Sequence, residues 1–153
     1  MDDADLKLLD VIQRHGRGGY ELFGKTVGLS KTAIHDRLKK LTARGVIKGW
    51  SAQVDPIHIG YPYAFLIRAE VDLPTNREAF ANIVSTIPGV QECHLTSGRW
   101  NCCLKLRSPS VERAERQIAE DIATIKGVVS IQVDTVTCTK KESLYLPGCL
   151  QTI

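Results

Sequence analysis

Residues 55–62, "DPIHIGYP", constrain this chain more than any other stretch. Pro56, Gly60 and Pro62 lie close together, and neither a continuous helix nor a central strand accommodates that grouping. On the N-terminal side the apolar residues recur at helical spacing. On the C-terminal side strand-like runs alternate with helical ones. A chain of 153 residues has room for two small domains. The sequence therefore predicts a first domain over 1–54, a linker over 55–63, a second domain over 64–142 and a tail over 143–153.

The first fifty residues predict three short helices. Leu6, Leu8, Leu9, Val11 and Ile12 mark the first, over 3–14. "HGRGG" breaks the pattern, and 20–27 form the second. Gly28 supplies a tight turn, Leu29 a buried plug and Ser30 an N-cap for a third helix reaching Arg44. Ile34, Leu38 and Leu41 recur at i, i+4 and i+7 and face inward. Gly45 closes that helix. "VIKGWSAQVD" then reads as a two-stranded wing around Lys48-Gly49.

Two helices joined by a glycine turn, the second of them basic, make a DNA-binding helix-turn-helix. Small or polar groups near the start of the recognition helix reach base edges, and cations meet phosphates. Ser30, Lys31, Thr32 and His35 are the candidates for bases or nearby phosphates. Arg37, Lys39, Lys40 and the wing's Lys48 are the candidates for the backbone. Asp36 is expected to pair with Arg37, Lys39 or Lys40. The competing reading is a charged, solvated helix face. The wing and the basic helix occurring together favour DNA. The charge balance agrees: residues 1–50 carry 10 Lys/Arg against 6 Asp/Glu, whereas the remainder carries 10 against 11.

Beyond the linker the elements read strand (64–73), helix (76–87), strand (90–97), strand (101–107), helix (110–125) and strand (128–139). This β-α-β-β-α-β order is the ferredoxin-like split motif. The fold class is α+β: a winged helix-turn-helix followed by a ferredoxin-like βαββαβ domain.

The stretch "ECHLTSGRWNCCLKLR", residues 92–107, holds three of the five cysteines. Cys102 and Cys103 are adjacent in a strand and point to opposite faces. No C-x-x-C spacing exists, so no metal site is expected. Cys93, Cys102, Cys103 and Cys138 read as small apolar strand residues. Cys149 in the tail is the candidate exposed thiol. No cofactor is expected. The acidic start "MDDADLKLLD" does not resemble a signal peptide, and no apolar run approaches a membrane span. A cytoplasmic, nucleoid-associated protein without membrane contact is expected.

The whole chain resembles the leucine-responsive/asparagine-regulator (Lrp/AsnC, feast/famine) family of transcription factors. "DADLKLLDVIQRHGR", "VGLSKTAIHDRLKKL" and "GVIKGWSAQVDP" carry the likeness in the first domain. "PGVQECHLTSG", "KGV" and the strand-helix order carry it in the second. The resemblance implies double-stranded DNA as partner and a second, so-called RAM domain. That domain would make homodimers that assemble into tetramers or octamers. It also implies a small effector, usually an amino acid, bound between RAM domains near the turn that joins the second and third strands. Thr96, Ser97, Gly98, Arg99, Asn101 and Cys102 are the effector-binding candidates there. Backbone N–H groups beside Gly98 suit a carboxylate.

Two departures from the family pattern stand out. The usual Leu-Ala pair of the second helix reads Phe23-Gly24. Glycine there costs about 1 kcal/mol relative to alanine, so a close helix contact must offset it. The turn signature of Gly, two residues, Asp and an aromatic reads Gly98-Arg99-Trp100-Asn101-Cys102. Two competing functions are an effector-blind architectural DNA-binding protein and a haem-pathway decarboxylase of similar build. The four scattered histidines, His15, His35, His58 and His94, disfavour the enzyme. The tail "LYLPGCLQTI" has no place assigned by its sequence.

Overall fold

The computed structural model describes residues 1–16 and 18–147. It divides into two units. One comprises residues 1–53 together with the described residues from Lys141 to 147, and the other spans 54–140. Residues 143–147 of the tail thus belong with the N-terminal helices. Cys149 lies outside the described residues.

The helical unit is built from α1 (Asp3–His15), α2 (Tyr20–Val27) and α3 (Lys31–Ala43). Asp2 and Asp5 form a reciprocal capping box that starts α1. Ser30 caps α3, its Oγ accepting from the Ala33 N–H at 3.2 Å. Leu8, Val11, Ile12, Phe23, Ile34, Leu38, Leu41 and Ile47 form one core. Leu29 packs against it while staying half-buried.

Gly24 explains its own presence. A Cβ there would stand 2.6 Å from the Leu29 carbonyl oxygen. The turn folds back so tightly that the Leu29 N–H donates to the Gly24 carbonyl at 3.0 Å. The contact required to offset a helical glycine is therefore this backbone approach.

The wing is a correction. Among the described residues no strand precedes Tyr63. Of the segment 46–54 only Ile47 is buried, while Val46, Trp50 and Val54 are exposed. A lone two-stranded ribbon of this length is marginal in water, and one buried anchor does not hold it. The joint itself is a compact turn. Asp55 Oδ1 accepts from the Ile57 N–H at 2.8 Å, and the Tyr61 N–H donates to the Pro56 carbonyl at 2.7 Å.

The sheet unit runs β1 (Tyr63–Val71), α4 (Pro74–Val84), β2 (Val90–Leu95), β3 (Cys102–Ser108), α5 (Val111–Gln117) and β4 (Val128–Thr135). The sheet order is β2-β3-β1-β4, with every neighbouring pair antiparallel. This is the expected split motif. A π-helical turn, Ile118–Ile122, continues α5 and buries Ile122. Phe65, Ile67, Ala69 and Val71 alternate inward from β1 against Phe80, Val84, Leu104 and Leu106. The register sets Leu66, Arg68, Glu92, His94, Cys103 and Lys105 on the opposite face. α4 and α5 pack on the inward face, where Phe80, Val84 and Ala114 join the core.

The cysteines follow the alternation. Cys102 is fully buried, at 0% exposure, and Cys93 packs beside the same core. Burial, and then the neighbouring Cys93, push the Cys102 thiol up to about 11, so it stays protonated at neutral pH. Cys103 lies on the other face, half-buried. Cys138 departs from the expectation of a strand residue: β4 ends at Thr135, and Cys138 is exposed.

Candidate nucleic-acid interface and effector turn

The outward side of α3 is set by where its core residues point. With Ile34, Leu38 and Leu41 buried, Lys31, Thr32, His35, Asp36, Lys39 and Lys40 are exposed. Lys31, His35 and Lys39 recur at i, i+4 and i+8 on one stripe. Lys31, Lys39, Lys40 and Lys48 form no ion pair among the described residues, and Lys48 is exposed beyond the helix end. Ser30 keeps its capping bond at the helix start, beside Lys31 and Thr32.

Two aromatic residues join this face that sequence spacing does not reveal. The Tyr20 ring lies 6.0 Å from the His35 ring, tilted by 53°. Tyr20, Phe23, His35, Lys39 and Trp50 border an open hollow of about 430 Å³. Tyr20 opens α2 and Trp50 follows α3, so only the crossing of the helices brings them together. His35 Nδ1 stands 3.6 Å from the Asp36 carboxylate. Asp36 therefore meets His35, not Arg37, Lys39 or Lys40.

Arg37 differs from the lysines of this helix in being paired. Its Nη1 donates to both carboxylate oxygens of Asp2 at 2.8 Å and to Asp5 Oδ1 at 2.6 Å. The side chain is only 29% exposed. Arg37 ties α3 to the start of α1. The Asp2 carboxyl is held below its usual range, chiefly by the Asp5 N–H and then by Arg37.

The β2–β3 turn contrasts with α3. The Thr96 hydroxyl donates to the Trp100 carbonyl at 2.6 Å, and the Thr96 N–H donates to the Asn101 carbonyl at 2.9 Å. Asn101 uses both ends of its amide on one residue of β1. Its Oδ1 accepts from the Val71 N–H at 3.0 Å, and its Nδ2 donates to the Val71 carbonyl at 2.8 Å. The side chain thus extends the β1–β3 ladder, which ends at Ala69 and Cys102. A carboxylate accepts only and makes just one of these bonds.

The six effector candidates therefore divide. Thr96 and Asn101 hold the turn together. The Cys102 side chain points into the core and offers an effector nothing. Ser97, Gly98 and Arg99 are exposed. Gly98 has φ +92° with open space around its Cβ position, so the backbone bend, not crowding, calls for glycine. Arg99 Nε donates to Glu70 Oε2 at 2.8 Å, and its guanidinium lies 5.1 Å from the centre of the Trp100 ring. Glu70 is the charged partner that sequence reasoning missed. Its signal is lost because it sits 29 residues away on β1.

Among the described residues no cluster of His, Cys, Asp or Glu is arranged to hold a metal ion. No helix among them is long and apolar enough to cross a membrane.

Residues 1–42 match the AsnC-type helix-turn-helix domain, and residues 64–146 match the Lrp/AsnC ligand binding domain. The chain is 33% identical to the proline dehydrogenase transcriptional activator of Rhizobium radiobacter over 147 residues, covering 94% of this chain and 93% of the relative. It is 29% identical to the leucine-responsive regulatory protein of Klebsiella pneumoniae, covering 94% and 88%. Among solved structures, a transcriptional regulator of Neisseria meningitidis in complex with L-Met aligns with a TM-score of 0.88 at 25% identity, covering 96% of both chains. AsnC of E. coli shares the fold, with a TM-score of 0.84 at 22% identity and coverage of 96% and 99%.

Proposed function

The chain belongs to the Lrp/AsnC family of transcriptional regulators, and from that premise we propose that it binds specific double-stranded DNA sequences through α3 and answers to an amino acid. The observation that carries the DNA reading is the stripe of exposed, unpaired lysines on α3, framed by Thr32 and His35. In this reading Lys31, Lys39, Lys40 and Lys48 meet phosphates, while Thr32 and His35 reach base edges from the N-terminal half of the helix. Ser30 positions the helix start. Arg37 acts indirectly, by holding α3 to α1.

The L-Met complex of the Neisseria relative supports an amino-acid effector. Its site in this chain is the surface of the β2–β3 turn at Ser97, Gly98 and Arg99. Exposed backbone N–H groups and the Arg99 guanidinium suit an α-carboxylate there. The outer sheet face, where Leu66 is exposed, is the surface through which two copies pair, with higher assembly to a tetramer or octamer. A cytoplasmic, nucleoid-associated setting follows from this activity.

One observation favours a second reading, the effector-blind architectural protein. Asn101 supplies no carboxylate at the turn, and its amide is engaged by Val71. A single experiment separates the two. Genomic fragments are selected on the purified protein without ligand and against a panel of amino acids that includes L-methionine. Specific fragments whose yield changes with one amino acid establish a ligand-responsive regulator. Specific fragments indifferent to the panel favour the architectural reading. No specific recovery at low salt overturns the DNA reading.

A further inference from the structure

The chain leaves the helical unit at Gln53, builds the sheet unit, and re-enters the helical unit at Lys141. What it does on return is specific. The Gln13 side chain on α1 reads one residue of the tail with both ends of its amide. Its Oε1 accepts from the Leu146 N–H at 2.9 Å, and its Nε2 donates to the Leu146 carbonyl at 3.3 Å. One turn away, the Tyr145 hydroxyl donates to Asp10 Oδ1 at 2.6 Å and accepts from Arg14 Nη2. The Arg14 guanidinium also stacks over the Tyr145 ring at 4.7 Å. Ser143 Oγ accepts from the Tyr145 N–H at 3.1 Å and sets the approach of the segment.

These contacts are polar, and Leu144 and Leu146 remain exposed. Hydrophobic burial therefore does not hold the segment. Its attachment to the sheet unit compensates. The last sheet bond is that from the Val136 N–H to the Ala64 carbonyl at 2.9 Å. From there to Ser143 the chain reaches at most about 25 Å. The segment is thus always presented to α1 at high local concentration, where a few weak bonds suffice. Asp10 is held below its usual range by Arg14 and then by Tyr145, in keeping with a persistent clasp.

We infer that residues 143–146 are a strap. It fastens the end of β4 to α1 of the DNA-binding unit, so that this unit is held to the sheet unit by two chain connections instead of the single linker at 54–62. A unit held at one end swings on its linker. A second connection narrows the range of that swing. The inference does not depend on the identity or existence of an effector.

The test uses the full chain without ligand or DNA. Trp100→Phe leaves Trp50, in the helical unit, as the only tryptophan, and its fluorescence anisotropy decay reports the motion of that unit. With the strap intact, a slow component is expected to carry most of the amplitude. Tyr145→Ala combined with Leu146→Pro removes the hydroxyl, the ring and the N–H that Gln13 accepts. It is expected to add a nanosecond component and lower the slow amplitude. Tyr145→Phe keeps the ring over Arg14 and is expected to give a smaller change in the same direction. Hydrogen exchange should quicken at 143–147 and in the last turns of α1, with the sheet unit unchanged. Decays and exchange rates identical in intact and doubly substituted chains overturn the inference.

Discussion

The outer face of α3 and the β2–β3 turn are both exposed, polar and rich in hydrogen-bonding groups, yet they differ in what those groups are free to do. On α3 the backbone satisfies itself through its own helical bonds, so outward side chains remain available. In the turn the backbone has no regular partner, and the side chains supply it. Thr96 closes on the Trp100 carbonyl and Asn101 completes the ladder to Val71. Exposure marks an available group on a helix and does not do so on a turn.

The largest effect expected from this contrast is on α3. Lys31→Ala and Lys39→Ala together should weaken binding to all duplex sequences. Each should also lower the slope of log affinity against log salt by about 1. Fluorescence titration of labelled duplexes across a salt series measures both. Arg37→Ala sharpens the comparison within the same helix. It should lower the melting temperature, because it unties Asp2 and Asp5, while leaving the salt slope at its original value. The same tie weakens in acid. The Asp2 pKa is lowered from 3.8, so its contribution is complete above that value and is lost as the pH falls through the lowered one. A salt slope reduced by Arg37→Ala as much as by Lys39→Ala would return Arg37 to the phosphate backbone.

Next in size is Asn101→Asp. At neutral pH the carboxylate would keep the bond from the Val71 N–H and turn its other oxygen toward the Val71 carbonyl. One bond is lost and two acceptors face each other, at a cost of about 1–3 kcal/mol in the stability of the sheet unit. Facing that carbonyl raises the folded-state pKa of the new carboxyl. The deficit should therefore shrink as the pH falls, because a protonated carboxyl donates again. Denaturant melts at pH 7 and pH 4 check the sign. A deficit independent of pH would mean that the side chain leaves Val71 and that the ladder tolerates the loss.

Gly24→Ala is expected to cost about 1–3 kcal/mol by overpacking, against a gain of about 1 kcal/mol in helix propensity. A net loss of stability confirms the close approach to Leu29, and a net gain breaks it. This position also shows where the sequence was legible. A glycine inside a helical pattern announces a contact but does not say with what. Hydrophobic spacing reveals the three helices, the β-α-β-β-α-β order and the outward lysines, because each is a local periodicity. It does not reveal Arg37 with Asp2, Glu70 with Arg99 or Tyr145 with Asp10, because ion pairs and hydroxyl contacts across long separations leave no period. The wing fails for a related reason. Its apolar residues alternate as a strand should, but ladder bonds need a partner that a pattern within one segment does not supply.

The smallest effect on stability, and the most informative at the turn, belongs to Arg99. Its pair with Glu70 is on the surface, with the Arg99 side chain 68% exposed, and such pairs contribute about 0–1 kcal/mol. Arg99→Ala should therefore leave the melting curve nearly unchanged. Thr96→Val, which removes the hydroxyl bond to the Trp100 carbonyl, should cost about 1 kcal/mol. The order reverses for ligand response. Thr96 already has its partner, whereas the Arg99 guanidinium is held by one exposed carboxylate that a ligand carboxylate can replace. Arg99→Ala should abolish or sharply reduce any change in DNA affinity caused by an amino acid, at unchanged fold. Measuring duplex affinity of the two variants with and without L-methionine, and with whichever panel member the fragment selection identifies, decides the matter. If Thr96→Val loses the response and Arg99→Ala keeps it, the groups that build the turn are also the groups that read the ligand, and the contrast between helix and turn fails where it was drawn most sharply.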